Sequence, residues 1–569
     1  MSEQLAIGRD AGIAPAPALP DSPHALLLGL EMRTWLLMTA LLAVAGTHIL
    51  DMILYPNIFD DSYMFYRYAL NVRAGLGIAW NPDGVQTYGL TSHLWLPVIL
   101  AFSYLPFGPD LSVKLASTAA GLLAIAVMAL ALQRHARSRW IADPVTTGSI
   151  IALGLFGHHY CRYHLITGMD TMLAMATHGA IVLAVLDYLK RPSMRAAVIV
   201  GGAGFAAVLA RPESGLCALG VPALAFLANG QWRRWRDLAG LVLLPAALIG
   251  VELAVCWLVF GVPLPLGFYA KSFNVYAGFM NPENAVTYML TGLAFPLAFW
   301  PLLAGYARRT DARCLLVWLV PVALTFVYLL TMRQVMGWLG RYYVPFLPYV
   351  VVPALLLLDR SIAEGETARA LLARLGKGMA IVAAVMIAAL IAGPGLEDSY
   401  KARTLPQPIA LPRLPVGTSV TIGRLGWLQT ITVISADVIE PLPAGAVVAA
   451  SEIGFIGAKA PHVTLIDLVG LNDTTIARHG FSMAGLLARK PDLIWMPASD
   501  YTGLRAKMFA DPLLYREYAV YTQVFDDGIA IRRGGPHEAK LRAGIARGWA
   551  KLYPGRAMDD FRVRLPATP

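Results

Sequence analysis

Charge is scarce in this chain of 569 residues: Asp, Glu, Lys and Arg make up only 14%, against about 25% in a soluble globular protein. Cysteine is scarcer still, with 4 in all. Cys161, Cys217, Cys256 and Cys314 lie in or beside apolar segments, with no CxxC pair and no His at ligand spacing. Neither a disulfide framework nor a zinc motif is expected from that pattern. The 51 glycines follow no period, which excludes collagen, and the low charge excludes disorder. No repeat of about 20 to 50 residues appears, so solenoids are excluded as well. What is abundant is long apolar runs: 57% of residues are hydrophobic and the mean hydropathy is +0.57. The sequence reads as a polytopic α-helical membrane protein.

The net charge of +10 does not indicate nucleic acid, because the basic residues sit in short loops between apolar runs, as the positive-inside bias prescribes. Residues 1–33 are Ala/Pro-rich and lack the compact features of a cleavable signal, so they read as a cytoplasmic tail before an uncleaved first span. Apolar windows fall near 34–54, 112–132, 145–162, 170–189, 196–211, 214–230, 238–260, 287–305, 314–331, 342–358 and 377–393. A further stretch, about 91–107, carries Pro97 and Pro106. Counting it as a span would turn the basic loops at 134–139, 190–191, 233–236 and 308–309 outward. Omitting it places all four in the cytoplasm, so it is expected to be juxtamembrane or re-entrant.

Eleven spans with the amino terminus inside then leave the connections at about 55–111, 261–286 and 332–341 outside, with everything after residue 394. There Pro, charge and polar residues rise. Short β-type runs, 446–449 and 463–466, alternate with helix-like stretches such as 483–490. The expected organisation is a tail at 1–33, a transmembrane domain at 34–395 and an α/β domain at 396–569.

Five polar patches share the outer face on this parity. Asp60 and Asp61 follow the first span beside Arg67 and several aromatics, which suits acid/base chemistry or cation binding; equally, they are first-turn acids of a helix starting near Ser62. Tyr269 and Lys271 follow Pro263 and Pro265, where Lys271 neutralises a phosphate or simply snorkels. Arg341 and Tyr342 open a span as a site or as an interfacial anchor. Asp170, and Arg211 with Glu213, are either site residues or a helix cap and an ion pair. The run His158, His159, His164 lacks the one-face spacing of a metal site. His178 and Glu252 lie deeper within spans and support a rival reading, a transporter or flippase of a lipid-linked or anionic solute. Against it, no inverted repeat or paired broken helices are visible.

In order along the chain, Asp60-Asp61-Ser62-Tyr63, Gly75-Leu76-Gly77, Trp80-Asn81-Pro82, Thr91-Ser92-His93-Leu94-Trp95, Gly168-Met169-Asp170-Thr171, Arg211-Pro212-Glu213, Pro265 through Lys271, Arg341-Tyr342 with Pro345 and Pro348, and Asp467 through Asp473 make the chain resemble the bacterial GT-C glycosyltransferases. The likeness is greatest to the mycobacterial arabinofuranosyltransferase B type and related pilin arabinosyltransferases. Relatives commonly have Glu where Asp170 stands and Asn-Thr where Leu266-Gly267 stand.

The resemblance implies a multi-pass enzyme of the bacterial cytoplasmic membrane with a periplasmic carboxy-terminal domain. It implies transfer of a pentose or hexose, arabinofuranose first, from a polyprenyl-phosphate donor to a cell-envelope glycan, lipid or pilin. The catalytic carboxylate of the first outer loop matches Asp60 or Asp61. Lys271 and Arg341, with Tyr269 and Tyr342, are expected to hold the donor phosphate, and Arg67, His93, Asp170, Arg211 and Glu213 to support the site. Asp60 and Asp61 holding a divalent cation (Mg, Mn or Ca) is the alternative use of the pair. In the carboxy-terminal domain Trp495, Tyr501, Tyr515, Tyr518 and Tyr521 are either a stacking surface for acceptor glycan or core.

Overall fold

A computed structural model describes residues 26–27, 30–55, 59–230, 232–272, 309–331, 338–363, 426–499 and 501–563, with isolated positions elsewhere. Of the amino-terminal tail, only a short antiparallel ladder pairing Leu26–Leu27 with Leu30–Glu31 is among them. Four described helices are long and apolar enough to cross a membrane: Leu37–Leu54, Pro109–His135, Thr171–Lys190 and Ala239–Phe260. Others coincide with expected windows but are shorter, among them Pro144–Gly157, Met194–Ala210, Gly215–Asn229 and Pro348–Ala363. Arg309–Thr331 covers the window at 314–331. The windows at 287–305 and 377–393 lie outside the described residues.

Local chemistry sets several helix ends. Asp143 accepts the Thr146 N–H and Ser193 accepts the Ala196 N–H, each capping the helix that follows. The window at 145–162 is cut at His158, whose backbone is extended and whose ring accepts the Cys161 N–H to start a separate helix, His159–His164. The ambiguous stretch folds as the helix Trp95–Ser103, only roughly 14 Å long against a hydrocarbon core of about 30 Å.

Thr171–Lys190 is the centre of the bundle, packed by Pro109–His135, Met194–Ala210 and Pro348–Ala363. Met32–Leu54 and Leu244–Phe260 lie at the rim and leave apolar side chains such as Leu42, Ile53, Val251 and Leu258 exposed, the surface that hydrocarbon would cover. Basic loops gather at one end: Arg134 and His135 reach Asp187, Lys190 donates to the Arg134 carbonyl, and Asp237 joins Arg234 to Tyr188. The carboxylates and arginines singled out above lie at the other end.

The carboxy-terminal domain is a five-stranded mixed sheet with β1 Val447–Ala450, β2 Thr464–Asp467, β3 Leu493–Trp495, β4 Tyr518–Tyr521 and β5 Ile529–Arg532, in the order β2-β1-β3-β5-β4. β1 pairs parallel with β2 and β3, while β5 runs antiparallel to β3 and β4. The parallel strands are short and almost wholly buried, as a sheet covered on both faces requires. Trp495, Tyr501, Tyr515, Tyr518 and Tyr521 are all buried, so these rings are core and offer no stacking platform.

Candidate active site

Asp60 and Asp61 open the helix Asp60–Arg73, yet neither caps it, since the N-cap position is Phe59. Asp60 turns to the carboxy-terminal domain and accepts the backbone N–H of Gly454 at 2.6 Å and of Phe455 at 2.8 Å, the first residues of the helix Gly454–Lys459. A carboxylate at that helix start satisfies donors that have no partner inside the helix. Two turns on, the buried Arg67 donates to the carbonyls of Gly457, Ala460 and Val463 around the end of the same helix, and to Trp80 O and Asn81 Oδ1. Seven residues rise about 10 Å along a helix, which matches the short helix that the two side chains bracket. Gly454 is required there: a Cβ would stand 2.0 Å from the Asp60 carbonyl oxygen.

Open α/β sheets present ligand sites beyond the carboxyl ends of their parallel strands. Here that edge docks on the Asp60 helix. After β2, Asp467 accepts the N–H groups of Val469, Gly470 and Asn472, and Asn472 Oδ1 accepts the Tyr68 hydroxyl at 2.9 Å. Gly89 passes so close that a Cβ would meet Asn472 Oδ1 at 2.1 Å. Burial pushes Asp60 up to about 6, with the Asp61 charge adding to the rise and the Phe455 and Gly454 N–H groups opposing it.

Asp61 faces the other way. Its Oδ2 accepts from Arg341 Nη1 at 3.1 Å. The Arg341 carbonyl accepts Arg211 Nη1 at 2.6 Å, and Arg211 Nε lies 3.5 Å from Asp170 and 3.4 Å from Glu213. Both guanidinium groups lie over the Tyr342 ring, at 5.0 Å for Arg211 and 5.2 Å for Arg341. Asp170 occupies the N-cap of Thr171–Lys190 without making a capping bond, which leaves its carboxylate for Arg211. Asp170 Oδ1, Glu213 Oε1 and Arg341 Nε are buried without hydrogen-bond partners, an exposure to cost that native structures rarely carry in a cluster.

Asp170, Arg211, Glu213, Arg341 and Tyr342 line a cavity of about 450 Å³; Asp61, bonded to Arg341, is not among the lining residues. The apolar wall comes from Leu216, Leu264, Pro265, Phe268 and Leu329. Lys271 lies in the helix Leu266–Ser272, and its side chain is outside the described residues.

Three expected site residues stand elsewhere. Tyr269 packs against the small apolar cluster that contains Tyr88, Cys256 and Leu266 and is not among the cavity's lining residues. Arg67 docks the carboxy-terminal domain. His93 pairs with Glu252 at 3.1 Å and stacks on Tyr88 at 5.0 Å, tying its loop to the helix Leu244–Phe260. Cys256 joins them: Glu252 and Cys256 share a helix face at four-residue spacing, and the fold brings His93 to that pair. Their present contacts use both imidazole nitrogens, Nδ1 toward Glu252 and Nε2 toward Cys256, whereas a single ion takes one. His178 is held by the Tyr349 and Ser214 hydroxyls. The residues missed from sequence, Gly454 and Phe455, are backbone donors and leave no side-chain signal.

The chain is similar in structure to ArnT from Cupriavidus metallidurans bound to undecaprenyl phosphate, with a TM-score of 0.54 and 14% identity over 88% of this chain and 99% of that one. The apo state of that protein gives 0.52 and 15%, over 88% and 97%. At these identities the likeness shows the fold alone, an ArnT-like architecture. Residues 418–549 match a family described as a domain of unknown function, DUF8728. No curated protein matches the chain.

Proposed function

We propose that this protein is a membrane glycosyltransferase that moves a sugar from a polyprenyl-phosphate carrier to an acceptor hydroxyl. One observation carries the reading: two buried guanidinium groups, Arg211 and Arg341, converge on Tyr342 in a largely apolar cavity, with the Asp61 carboxylate bonded to one of them. Apolar surface suits an isoprenoid, the cations suit its phosphate and the carboxylate suits the incoming hydroxyl. The ArnT structure holds undecaprenyl phosphate in the same fold.

In this reading the lipid lies along Leu216 and Leu329, between Gly215–Asn229 and Arg309–Thr331. Arg341, Arg211 and Lys271 hold the phosphate, and Tyr342 orients both arginines. Asp61 takes the proton as the acceptor oxygen bonds to the anomeric carbon. The bond from that carbon to the phosphate oxygen breaks, and the leaving phosphate needs no proton because cations receive its charge. Asp60 is the positioning carboxylate of the pair. Both its oxygens face backbone N–H groups and Asp61 faces a guanidinium, so the pair does not offer the oxygen set that Mg, Mn or Ca requires, and no step runs through a metal.

Arabinofuranose as the sugar, an envelope glycan as acceptor, the eleven spans and the bacterial inner membrane with a periplasmic carboxy-terminal domain rest on the resemblance and on the charge asymmetry of the loops. The transporter reading loses its motive, since His178 and Glu252 each have local partners. The test is incubation of the purified full-length protein with radiolabelled decaprenyl-phosphoryl arabinose and synthetic octyl arabinofuranosides. Labelled oligosaccharide is expected from the native protein and at least about a hundredfold less from Asp61→Asn. Absence of transfer from this and other polyprenyl-phosphate sugars, together with solute movement into liposomes, overturns the reading.

A further inference from the structure

The buried aromatics leave the carboxy-terminal domain without a stacking surface, but a second recess lies where that domain meets the first loop. It measures about 270 Å³ and is lined by Asn81, Asp83 and Thr87 on one side and by Asp473, Thr475 and Arg489, among others, on the opposite side. We propose that this cleft binds a neutral sugar residue of the acceptor, one unit back from the hydroxyl that reacts. The inference rests on the glycosyltransferase reading and supplies its acceptor class, a glycan of at least two sugars.

Three features of the cleft select that ligand. Beside apolar surface from Val85, Ile476 and Leu486, its lining offers hydroxyl, amide and carboxylate groups, the donors and acceptors that pair with sugar hydroxyls. Its charge disfavours an anion, because Asp83 and Asp473 outnumber Arg489, whose guanidinium is already paired to Asp473. A lipid phosphate is therefore turned away, whereas a polyol meets acceptors. Its volume falls just under the ~300 Å³ lower end of small-molecule sites, room for one sugar ring and not for an extended chain.

Its position links it to the reaction. Thr87 lines the cleft and Thr91 lines the arginine cavity. Four residues of chain span at most about 14 Å. On the other side of the seam, Asn472 lines the cleft while the Leu471 side chain comes within 3.8 Å of the point where a Gly267 Cβ would stand, at the cavity wall. The seam is fixed, because Leu266 N–H donates to Tyr88 O and Tyr68 donates to Asn472. The docking of the carboxy-terminal domain by Asp60 and Arg67 thus builds the acceptor subsite as well as closing the catalytic helix.

Thr475 and Asp83 are both exposed, so substitutions there leave the core untouched. Full-length Thr475→Trp, which fills the cleft, and Asp83→Asn, which removes one charge and an acceptor, are compared with the native protein. The probes are octyl mono-, di- and trisaccharides of arabinofuranose with decaprenyl-phosphoryl arabinose as donor. The expected result is an acceptor KM raised about tenfold or more for the di- and trisaccharide in Thr475→Trp, a smaller rise in Asp83→Asn, no change for the monosaccharide, and an unchanged donor KM. Equal loss for all three acceptors, or an unchanged KM for the trisaccharide, overturns the subsite while leaving the glycosyltransferase standing. If the native protein transfers from no donor, the reading of function fails. The cleft is then judged by saturation-transfer NMR with the same trisaccharide: signal in the native protein that Thr475→Trp abolishes supports it, and no difference between the two overturns it.

Discussion

The Asp60 carboxylate and the Gly454 backbone N–H meet at 2.6 Å across 394 positions of the chain. That contact divides an adjacent acidic pair into two roles, since it turns Asp60 toward the carboxy-terminal domain and leaves Asp61 for Arg341.

Gly454→Ala is expected to undock the carboxy-terminal domain, because the new Cβ would fall 2.0 Å from the Asp60 carbonyl oxygen, a backbone atom that cannot step aside. A loss on the order of 2 kcal/mol is expected. Thermal melting and the rate of limited proteolysis after residue 426 check it; native-like melting contradicts the docking role.

Asp61→Asn and Asp60→Asn should separate in kinetics. Removing the base at Asp61 is expected to lower kcat by about 10²–10⁴ while donor affinity stays within about threefold. Asp60→Asn is expected to act through stability, with most of the kcat recovered at low temperature. Equal kcat losses without any change in melting would reverse the assignment.

Arg341→Lys is not conservative at a site where the guanidinium meets both Asp61 and the Tyr342 face. Donor KM should rise about tenfold, with acceptor KM unchanged. Arg211→Lys should show the same direction. A change in acceptor KM alone would contradict phosphate binding.

Arg67→Lys should cost about 3–5 kcal/mol, since a buried charge with five oxygen partners is replaced by one with three donors. Melting of the variant beside Arg67→Met tests this; a stable Lys variant removes Arg67 from the clamp.

The pH dependence of stability follows from Asp60. Burial raises its folded value to about 6 from an ordinary 3.8. The folded state then holds the proton more tightly than the unfolded chain, so between about pH 4 and pH 6 this group's contribution falls as pH rises, and it stays low above pH 6. Native protein minus Asp60→Asn, melted across pH 4 to 7, should show a difference that grows more unfavourable to the native chain up to about pH 6. A slope of the opposite sign overturns the burial argument.

Part of the site was legible in the sequence. Asp61, Asp170, Arg211, Glu213, Arg341 and Tyr342 converge, and each stood beside a span end at one face of the bundle. Tyr269, His93 and Arg67 were singled out by the same signal and serve packing, loop anchoring and docking, because residue type and depth do not report which way a side chain turns. The strands at Val447–Ala450 and Thr464–Asp467 lay within one residue of the expected runs, since a β-branched run bounded by turn residues is a local signal. The break at His158 was hidden, because a ring accepting a nearby N–H leaves hydropathy unchanged.

The sequence by itself determined that helices long and apolar enough to cross a bilayer recur along the chain and which loops carry its charge, because apolar length and basic asymmetry are summed along neighbouring residues. Tertiary structure alone decided which carboxylate of the pair meets Arg341 and which meets the carboxy-terminal domain. Backbone N–H groups at Gly454 and Phe455 make that choice, and a backbone donor is the same in every sequence until the fold says where it points.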